Sequence, residues 1–169
     1  MQTTAILDGN EYVLNGTKRY ITNAPRAGLY TVYARTNPED KGAGGVSAIL
    51  VEAGTKGQST GKIDKKMGQK GTQTSDLVFE DCRVPATQLL GLEEGMGFKT
   101  AMKVLDRGRL HLAAACVGMA RRLIDDALAY AMERKQFGEP IANFQLVQAM
   151  LADSETELYA ARTMTLDAC

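Results

Sequence analysis

The period of the hydrophobic positions changes once along the chain, near residue 95. Beyond Gly97, apolar residues recur at spacings of three and four, the pattern of one buried helical stripe. The stripe consists of Ala101, Met102, Leu105, Leu112, Ala113, Cys116, Ala120, Leu123, Ala127 and Ala131. Arg134, Lys135, Gly138 and Pro140 follow, and such residues are typical of a helix C-terminus. A second apolar stripe runs from Phe144 to Ala168. The sequence therefore predicts two long antiparallel helices joined by a glycine turn.

Up to Pro85 the pattern alternates with a period of two, which is typical of half-buried strands. The predicted strands are 3–7, 11–14, 18–22, 29–35, 46–51 and 77–79, with turns at 8–10 and at Asn15-Gly16. Short strands with glycine-rich turns indicate an antiparallel β-barrel or sandwich. We therefore predict an α+β chain, with a β domain at residues 1–94, a flexible loop from Gly91 to Gly97, and a long antiparallel helical hairpin within residues 95–169.

Charge, apolar run length and cysteine content limit the kinds of partner and compartment that we expect. Lysine plus arginine and aspartate plus glutamate both number 20, so the chain lacks the basic excess of a nucleic-acid-binding protein. The longest apolar run, from Leu110 to Ala120, is about half of the roughly 20 residues that a membrane span needs. Three widely separated cysteines and an N-terminus without signal-peptide features fit a reducing compartment. We expect a cytoplasmic protein, or a mitochondrial matrix protein in a eukaryote.

The turn between the two predicted helices is the best local candidate for a binding site. Arg134 ends the first helix, and the second begins near Gln145, where free N–H groups and the helix dipole favour an anion. Arginine adds a bidentate fork for phosphate, and Phe137 offers a flat apolar face. The alternative is a plain helix hairpin in which the arginine caps its own helix carbonyls. The local pattern favours neither.

Three other stretches are weaker candidates. Tyr20-Ile21-Thr22, at a strand end, could line a flat ring and hydrogen-bond its edge, although most such tripeptides are simply strand. Asp106 and Arg109 flank Gly108 in the first helix, where a glycine costs about 1 kcal/mol and suggests a close approach. Otherwise this is a charged turn facing water or a partner. The lysines at 62, 65, 66 and 70 could attract a polyphosphate, but a solvated surface is the more common explanation.

Four stretches together resemble the acyl-CoA dehydrogenase family. They are Leu14-Asn15-Gly16-Thr17-Lys18-Arg19-Tyr20-Ile21-Thr22-Asn23, Met67-Gly68-Gln69-Lys70, Val78-Phe79-Glu80-Asp81-Cys82-Arg83-Val84-Pro85 and Arg134-Lys135-Gln136-Phe137-Gly138. They occur in the family's order and spacing across essentially the whole chain. The resemblance implies the middle β-barrel domain followed by the first helices of the C-terminal helical domain. It also implies α,β-desaturation of acyl-CoA thioesters, with hydride transfer to N5 of FAD and an electron-transferring flavoprotein as acceptor.

The resemblance assigns roles by position. It places Tyr20, Ile21 and Thr22 beside the flavin ring, with the Thr22 hydroxyl toward N5, although many members have tryptophan in place of Tyr20. It also implies that Arg134, Phe137 and Gln145 hold the pyrophosphate and adenosine of a neighbouring subunit's FAD. Asp106 and Arg109 match positions that line the family's acyl-CoA site. No residue is carried over as a metal ligand.

The resemblance also implies that this chain lacks the catalytic base. The family's glutamate usually lies late in the C-terminal domain, and in some members it occupies the position of Gly108, which has no acid–base group. Glu93, Glu94 and Glu133 match no catalytic position, so no catalytic residue is assigned. Compared with the family, the sequence looks like a fragment, without the N-terminal helical domain, and it is expected to be inactive or nearly so alone.

Two alternatives remain open. One is a non-catalytic oligomerising or binding module that keeps the β domain and the helical hairpin. The other is a fragment of a related acyl-CoA oxidase or flavin monooxygenase, which share the scaffold. In each case the apolar stripe of the helices exceeds what one β domain can cover. We therefore expect a homo-oligomer, a dimer or a tetramer.

Overall fold

Six strands of the N-terminal half form one sheet in the computed structural model, which describes residues 1–169. They are β1 (Thr4–Asp8), β2 (Glu11–Thr22), β3 (Leu29–Arg35), β4 (Val46–Glu52), β5 (Gln58–Thr60) and β6 (Thr74–Pro85), in the order β4-β3-β1-β2-β6-β5. The remaining elements are α1 (Gly97–Glu133), β7 (Lys135–Gln136), β8 (Glu139–Pro140) and α2 (Gln145–Asp167), with short 3₁₀ turns at 43–45, 86–88 and 141–143. The predicted α+β class is confirmed.

The sheet is mixed, whereas the sequence predicted an antiparallel one. Strands β1 and β3 are parallel neighbours through the pair Thr4–Arg35, and all the other pairings are antiparallel. The reason lies in the connections. The chain reverses between β1 and β2 and again before β3, so β3 runs in the direction of β1 when it pairs with that strand's free edge.

The turn predicted at Asn15-Gly16 is a bulge inside a continuous strand. Strand β2 has twelve residues, and its register with β6 shifts between Leu14 and Gly16. Gly16 has φ +135°, and a Cβ there would lie 2.9 Å from the Cα of Thr3. A glycine therefore marks a close backbone approach here, which is a common use of glycine within a strand.

The core lies in the sheet unit, where buried side chains alternate with less buried ones along β3 and much of β6, and β4 is buried almost throughout. Its largest fully buried members are Phe79, Leu14, Ile49, Val51 and Cys82. Burying a side chain of this kind stabilises the fold by about 1.5–3 kcal/mol. Cys82 is fully buried and serves as a small core residue, and this burial raises the pKa of its thiol.

The segment predicted as a flexible loop is held against the sheet by hydrogen bonds. The Tyr12 hydroxyl donates to Glu94 Oε1 at 2.5 Å, and the N–H of Gly95 donates to Ser47 Oγ at 2.9 Å. Burial and the bond to Glu94 both raise the pKa of Tyr12. Gly97, the first residue of α1, lies so close to Ser47 that an added Cβ would be 2.4 Å from its carbonyl carbon. The start of α1 is therefore fixed on β4.

The chain divides into two compact units, Met1–Met102 and Lys103–Cys169. In the second unit, Arg121 of α1 makes two hydrogen bonds, of 3.0 and 2.8 Å, to the carboxylate of Glu155 in α2. Each of these residues lies ten to twelve positions from the intervening turn, so the two helices run antiparallel, as predicted. The domain boundary between residues 94 and 95 stays a prediction.

The helical stripe that the sequence predicted as buried is largely exposed in this chain. Within it Ala131 is buried, while Leu112 and Leu123 keep 66% and 68% of their surface. In α2 the one buried residue is Leu158. Two helices in contact cover only one narrow face of each other, so most of both stripes has no partner here. Neither helix combines the length and the apolar character that crossing a membrane requires.

Candidate functional site

The end of β2 carries an aromatic residue in a rare backbone conformation. Tyr20 has φ +57° within a register shift between Lys18 and Ile21, and its side chain is 70% exposed. The Arg19 guanidinium lies 5.3 Å from the centroid of the Tyr20 ring. A bulky residue with positive φ costs roughly 1–3 kcal/mol, and such strain concentrates at functional sites. The strand end therefore presents a strained, exposed aromatic ring.

Beside Tyr20 the same strand end lines a pocket of about 370 Å³. Its wall contains Met1, Lys18, Ile21, Thr22, Ala27, Leu29, Tyr30, Thr31, Val32, Tyr33 and Leu77. The Lys18 ammonium donates to the carbonyl of Tyr33 at 2.5 Å, and burial lowers the pKa of this lysine. Thr22 is exposed, and its hydroxyl makes no hydrogen bond within the chain. The pocket is thus mainly apolar, with one half-buried cation and a few hydroxyl groups, among them that of Thr22.

The turn between the helices has a well-defined backbone. Strands β7 and β8 form a hairpin whose two central residues, Phe137 and Gly138, have φ +53° and +90°. Two positive φ values define the primed turn that suits tight hairpins. The N–H of Arg134 donates to the Tyr130 carbonyl at 2.8 Å, and its carbonyl accepts from Ile141 N–H at 2.8 Å. The backbone of Arg134 is therefore held on both sides.

The side chains of Arg134 and Phe137 in this turn are exposed to solvent. Arg134 is exposed, and its guanidinium makes no salt bridge or hydrogen bond in the chain, so it does not cap its own helix. Phe137 is 95% exposed and meets Phe144 edge-to-face, with ring centroids 6.2 Å apart. Helix α2 begins at Gln145 with no side-chain cap on its first N–H groups. An arginine fork, an aromatic face and an uncapped helix N-terminus thus come together in this turn.

Asp106 and Arg109 pair with each other. The guanidinium lies 2.9 Å from the carboxylate, and both side chains are about 70% exposed. A Cβ on Gly108 would meet no atom within 4 Å, so the close approach expected there does not occur within this chain. An exposed pair at this spacing contributes about 0.5 kcal/mol or less. These residues form a solvent-facing charged turn of α1.

The structure brings the candidate residues that the resemblance assigns to FAD together in two groups, one in each unit. Tyr20, Ile21 and Thr22 share the end of β2, and the segment from Arg134 to Gln145 forms the turn before α2. Sequence reasoning missed the role of Lys18 in the pocket, because that role depends on burial and on the Tyr33 carbonyl of a neighbouring part of the sheet. It also missed the positive φ values of the two aromatic residues. No group of three or more His, Cys, Asp or Glu side chains is arranged to hold a metal ion.

Comparison with known proteins gives matches over both units. The family model described as acyl-CoA dehydrogenase, middle domain, matches residues 1–82, and the one described as acyl-CoA dehydrogenase, C-terminal domain, matches residues 95–169. Acryloyl-CoA reductase (NADH) of Anaerotignum propionicum is 52% identical over 166 residues, which is 97% of this chain and 42% of that protein. A caffeyl-CoA reductase–Etf complex subunit of Acetobacterium woodii is 45% identical, over 99% of this chain and 44% of its own length.

Solved structures agree with these matches. Butyryl-CoA dehydrogenase from Megasphaera elsdenii is 43% identical with a TM-score of 0.91, over 98% of this chain and 43% of that one. An acyl-CoA dehydrogenase complexed with FAD from Bacillus anthracis is 41% identical with a TM-score of 0.88, over 98% of this chain and 28% of that one. The chain thus spans less than half the length of the relatives it matches.

Proposed function

Because the chain belongs to the acyl-CoA dehydrogenase family, we propose that it forms part of an FAD-dependent acyl-CoA oxidoreductase. One observation carries the proposal. Both segments that the resemblance assigns to FAD hold an exposed aromatic residue, Tyr20 or Phe137, in left-handed backbone. Strain of this kind persists only where the surrounding structure imposes it, and it is typical of ligand-binding positions. When bound, FAD would accept the hydride in α,β-desaturation of an acyl-CoA thioester.

The residues at the end of β2 fit a flavin ring. Tyr20 offers a flat exposed face, Ile21 and Thr22 line an apolar pocket, and the free hydroxyl of Thr22 is available to a ring nitrogen. We assign this hydroxyl to the N5 edge of the ring. An apolar wall with a few well-placed polar groups is the usual composition of a cofactor pocket.

The turn before α2 fits the phosphate end of FAD. Arg134 supplies an unpaired guanidinium, Phe137 supplies a face for the adenine, and Gln145 begins a helix with free N–H groups. Together these groups would offset the two charges of a pyrophosphate. In this proposal they serve the FAD of a neighbouring subunit, so the complete site requires an oligomer.

The proposed substrate is an acyl-CoA thioester, and Asp106 and Arg109 are the residues proposed to line its site. Their pair is weak and exposed, so either side chain can reorient toward a bound ligand at small cost. An electron-transferring flavoprotein is the proposed electron acceptor, because a relative at 45% identity belongs to a reductase–Etf complex. The proposed location is the cytoplasm, or the mitochondrial matrix in a eukaryote.

We propose that none of the carboxylates of this chain is the base that removes the α-proton. Gly108 has no acid–base group, Glu94 accepts the hydrogen bond from Tyr12, and Glu93 and Glu133 lie exposed outside both candidate groups. The chain alone should therefore not oxidise acyl-CoA. The measurement is an anaerobic assay of the FAD-supplemented chain with butyryl-CoA and an artificial electron acceptor. Turnover at the rate of a full-length relative would contradict this assignment.

The exposed helical stripe favours a second candidate function, an oligomerising module without catalysis. The stripe on α1 and α2 lines a groove of about 460 Å³ whose walls include Ala120, Leu123 and Leu158. Exposed apolar surface of this extent marks an interface or an aggregation site. We expect sedimentation to show a dimer or larger, and Leu112→Glu with Leu123→Glu to shift it toward monomer. A wild-type chain that sediments as a monomer at high concentration would contradict the expectation.

A further inference from the structure

Three lysines between β5 and β6 line a pocket whose wall contains none of the residues assigned to FAD. Lys65, Lys66 and Lys70 surround a space of about 370 Å³. The other wall residues are Ile63, Asp64, Thr72 and Gln73. The volume is within the range of small-ligand sites, so the lysines surround a concave space of ligand size and not a flat surface.

One of the lysines is oriented by its neighbours. Lys66 is half-buried, and its ammonium donates to Thr72 Oγ1 at 2.9 Å. The same threonine hydroxyl donates to the carbonyl of Gln69 at 3.2 Å. This chain uses one N–H of the ammonium and leaves two for a ligand. The charge of Lys66 is therefore held in place at the pocket wall.

The pocket is also attached to the ends of two central strands. The Gln73 carbonyl accepts from the N–H of Asn23, just after β2, at 2.7 Å, and its side-chain Oε1 accepts from Arg26 at 3.3 Å. On the other side of the loop, the N–H of Asp64 donates to the carbonyl of Thr74, the first residue of β6, at 2.8 Å. These bonds fix the backbone on both sides of the lysines, so the pocket is built before any ligand arrives.

The charges of the pocket are unbalanced. None of its lysines makes a salt bridge, although seven ion pairs form elsewhere in the chain. Asp64 is the one carboxylate in the wall, against three ammonium groups. Like charges around one pocket repel one another, and a multivalent anion between them offsets the repulsion and gains attraction. Lysine binds phosphate groups as a point charge, so a diphosphate, with several negative charges, suits this set of three lysines.

We propose that this lysine pocket binds a small ligand carrying a diphosphate group. The test is calorimetric titration of the chain with inorganic pyrophosphate at low and high salt. We expect saturable binding that includes one lysine-dependent equivalent, weakened by salt as screening requires. Lys66→Gln and Lys70→Gln should each weaken it by about tenfold or more. The control Lys41→Gln removes the same charge from an exposed position outside the pocket and should leave the affinity unchanged.

A parallel titration with ADP separates free polyphosphate from a nucleotide as the natural source of the diphosphate. Lysine-dependent binding of either probe supports the site, and the tighter probe identifies the source. Two results would overturn the proposal. One is the absence of saturable binding of both probes to folded wild-type chain. The other is an equal loss of affinity in Lys41→Gln, because the effect would then belong to net charge and not to the pocket.

Discussion

Replacing Gly97 with alanine should destabilise the sheet unit by about 3 kcal/mol, near the upper end for overpacking. The added Cβ would lie 2.4 Å from the Ser47 carbonyl carbon and 2.8 Å from the Ala48 nitrogen, which are backbone atoms of β4. Backbone cannot swing away as a flexible side chain can, so the start of α1 would have to leave the strand. Urea denaturation followed by circular dichroism measures the change in the free energy of unfolding.

Gly108→Ala is the matched control, because the same substitution is made in the same helix. Nothing lies within 4 Å of its added Cβ, so only helix propensity acts, and it should raise helix stability by up to about 1 kcal/mol. The two substitutions should therefore shift the unfolding midpoint in opposite directions. Shifts of equal sign and size would show that Gly97 is not packed against β4.

The second large effect is expected at Phe79, where truncation to alanine should cost about 3–5 kcal/mol. This ring is 2% exposed and belongs to the core of the sheet, so its loss leaves a cavity among side chains held by β2 and β6. The same urea titration measures the loss. A cost below about 1 kcal/mol would contradict this packing.

Phe137→Ala should weaken FAD binding while leaving the stability of the fold almost unchanged. This ring is 95% exposed and meets the ring of Phe144 edge-to-face, so truncation should cost about 1 kcal/mol or less in stability. If Phe137 contacts the adenosine part of FAD, the same substitution should weaken FAD binding by about tenfold, or 1.4 kcal/mol. The measurement is an FAD titration followed by flavin absorbance. Unchanged FAD affinity would remove Phe137 from the proposed site.

The helices and most strands could be predicted from the sequence because their signals are local. A stripe at helical spacing defined α1, and the Gly-containing turn defined the hairpin of β1 and β2. The parallel pairing of β1 with β3 could not be predicted, since it depends on which strand edge remains free. Nor could the bulge at Gly16, because a positive φ inside a strand and a turn share one residue preference.

The candidate site was predictable in its residues but not in its geometry. Arg134 stood out because a cation near a helix end is a local signal, whereas the absence of any partner for its guanidinium is a property of the fold. The left-handed backbone of Tyr20 and Phe137 is likewise imposed by a register shift and a tight hairpin. The role of Lys18 depends on burial against β3, which no spacing in the sequence reveals.

The most direct test of the proposed FAD site is the visible absorption spectrum of the purified chain after FAD is added and the excess removed. We predict a retained flavin band in the wild-type chain, a reduced one in Arg134→Met, and a wild-type spectrum in the adjacent control Lys135→Met. Butyryl-CoA should not bleach the retained band, because the chain supplies no base. A folded wild-type chain that emerges colourless would contradict the proposal and favour the oligomerising module.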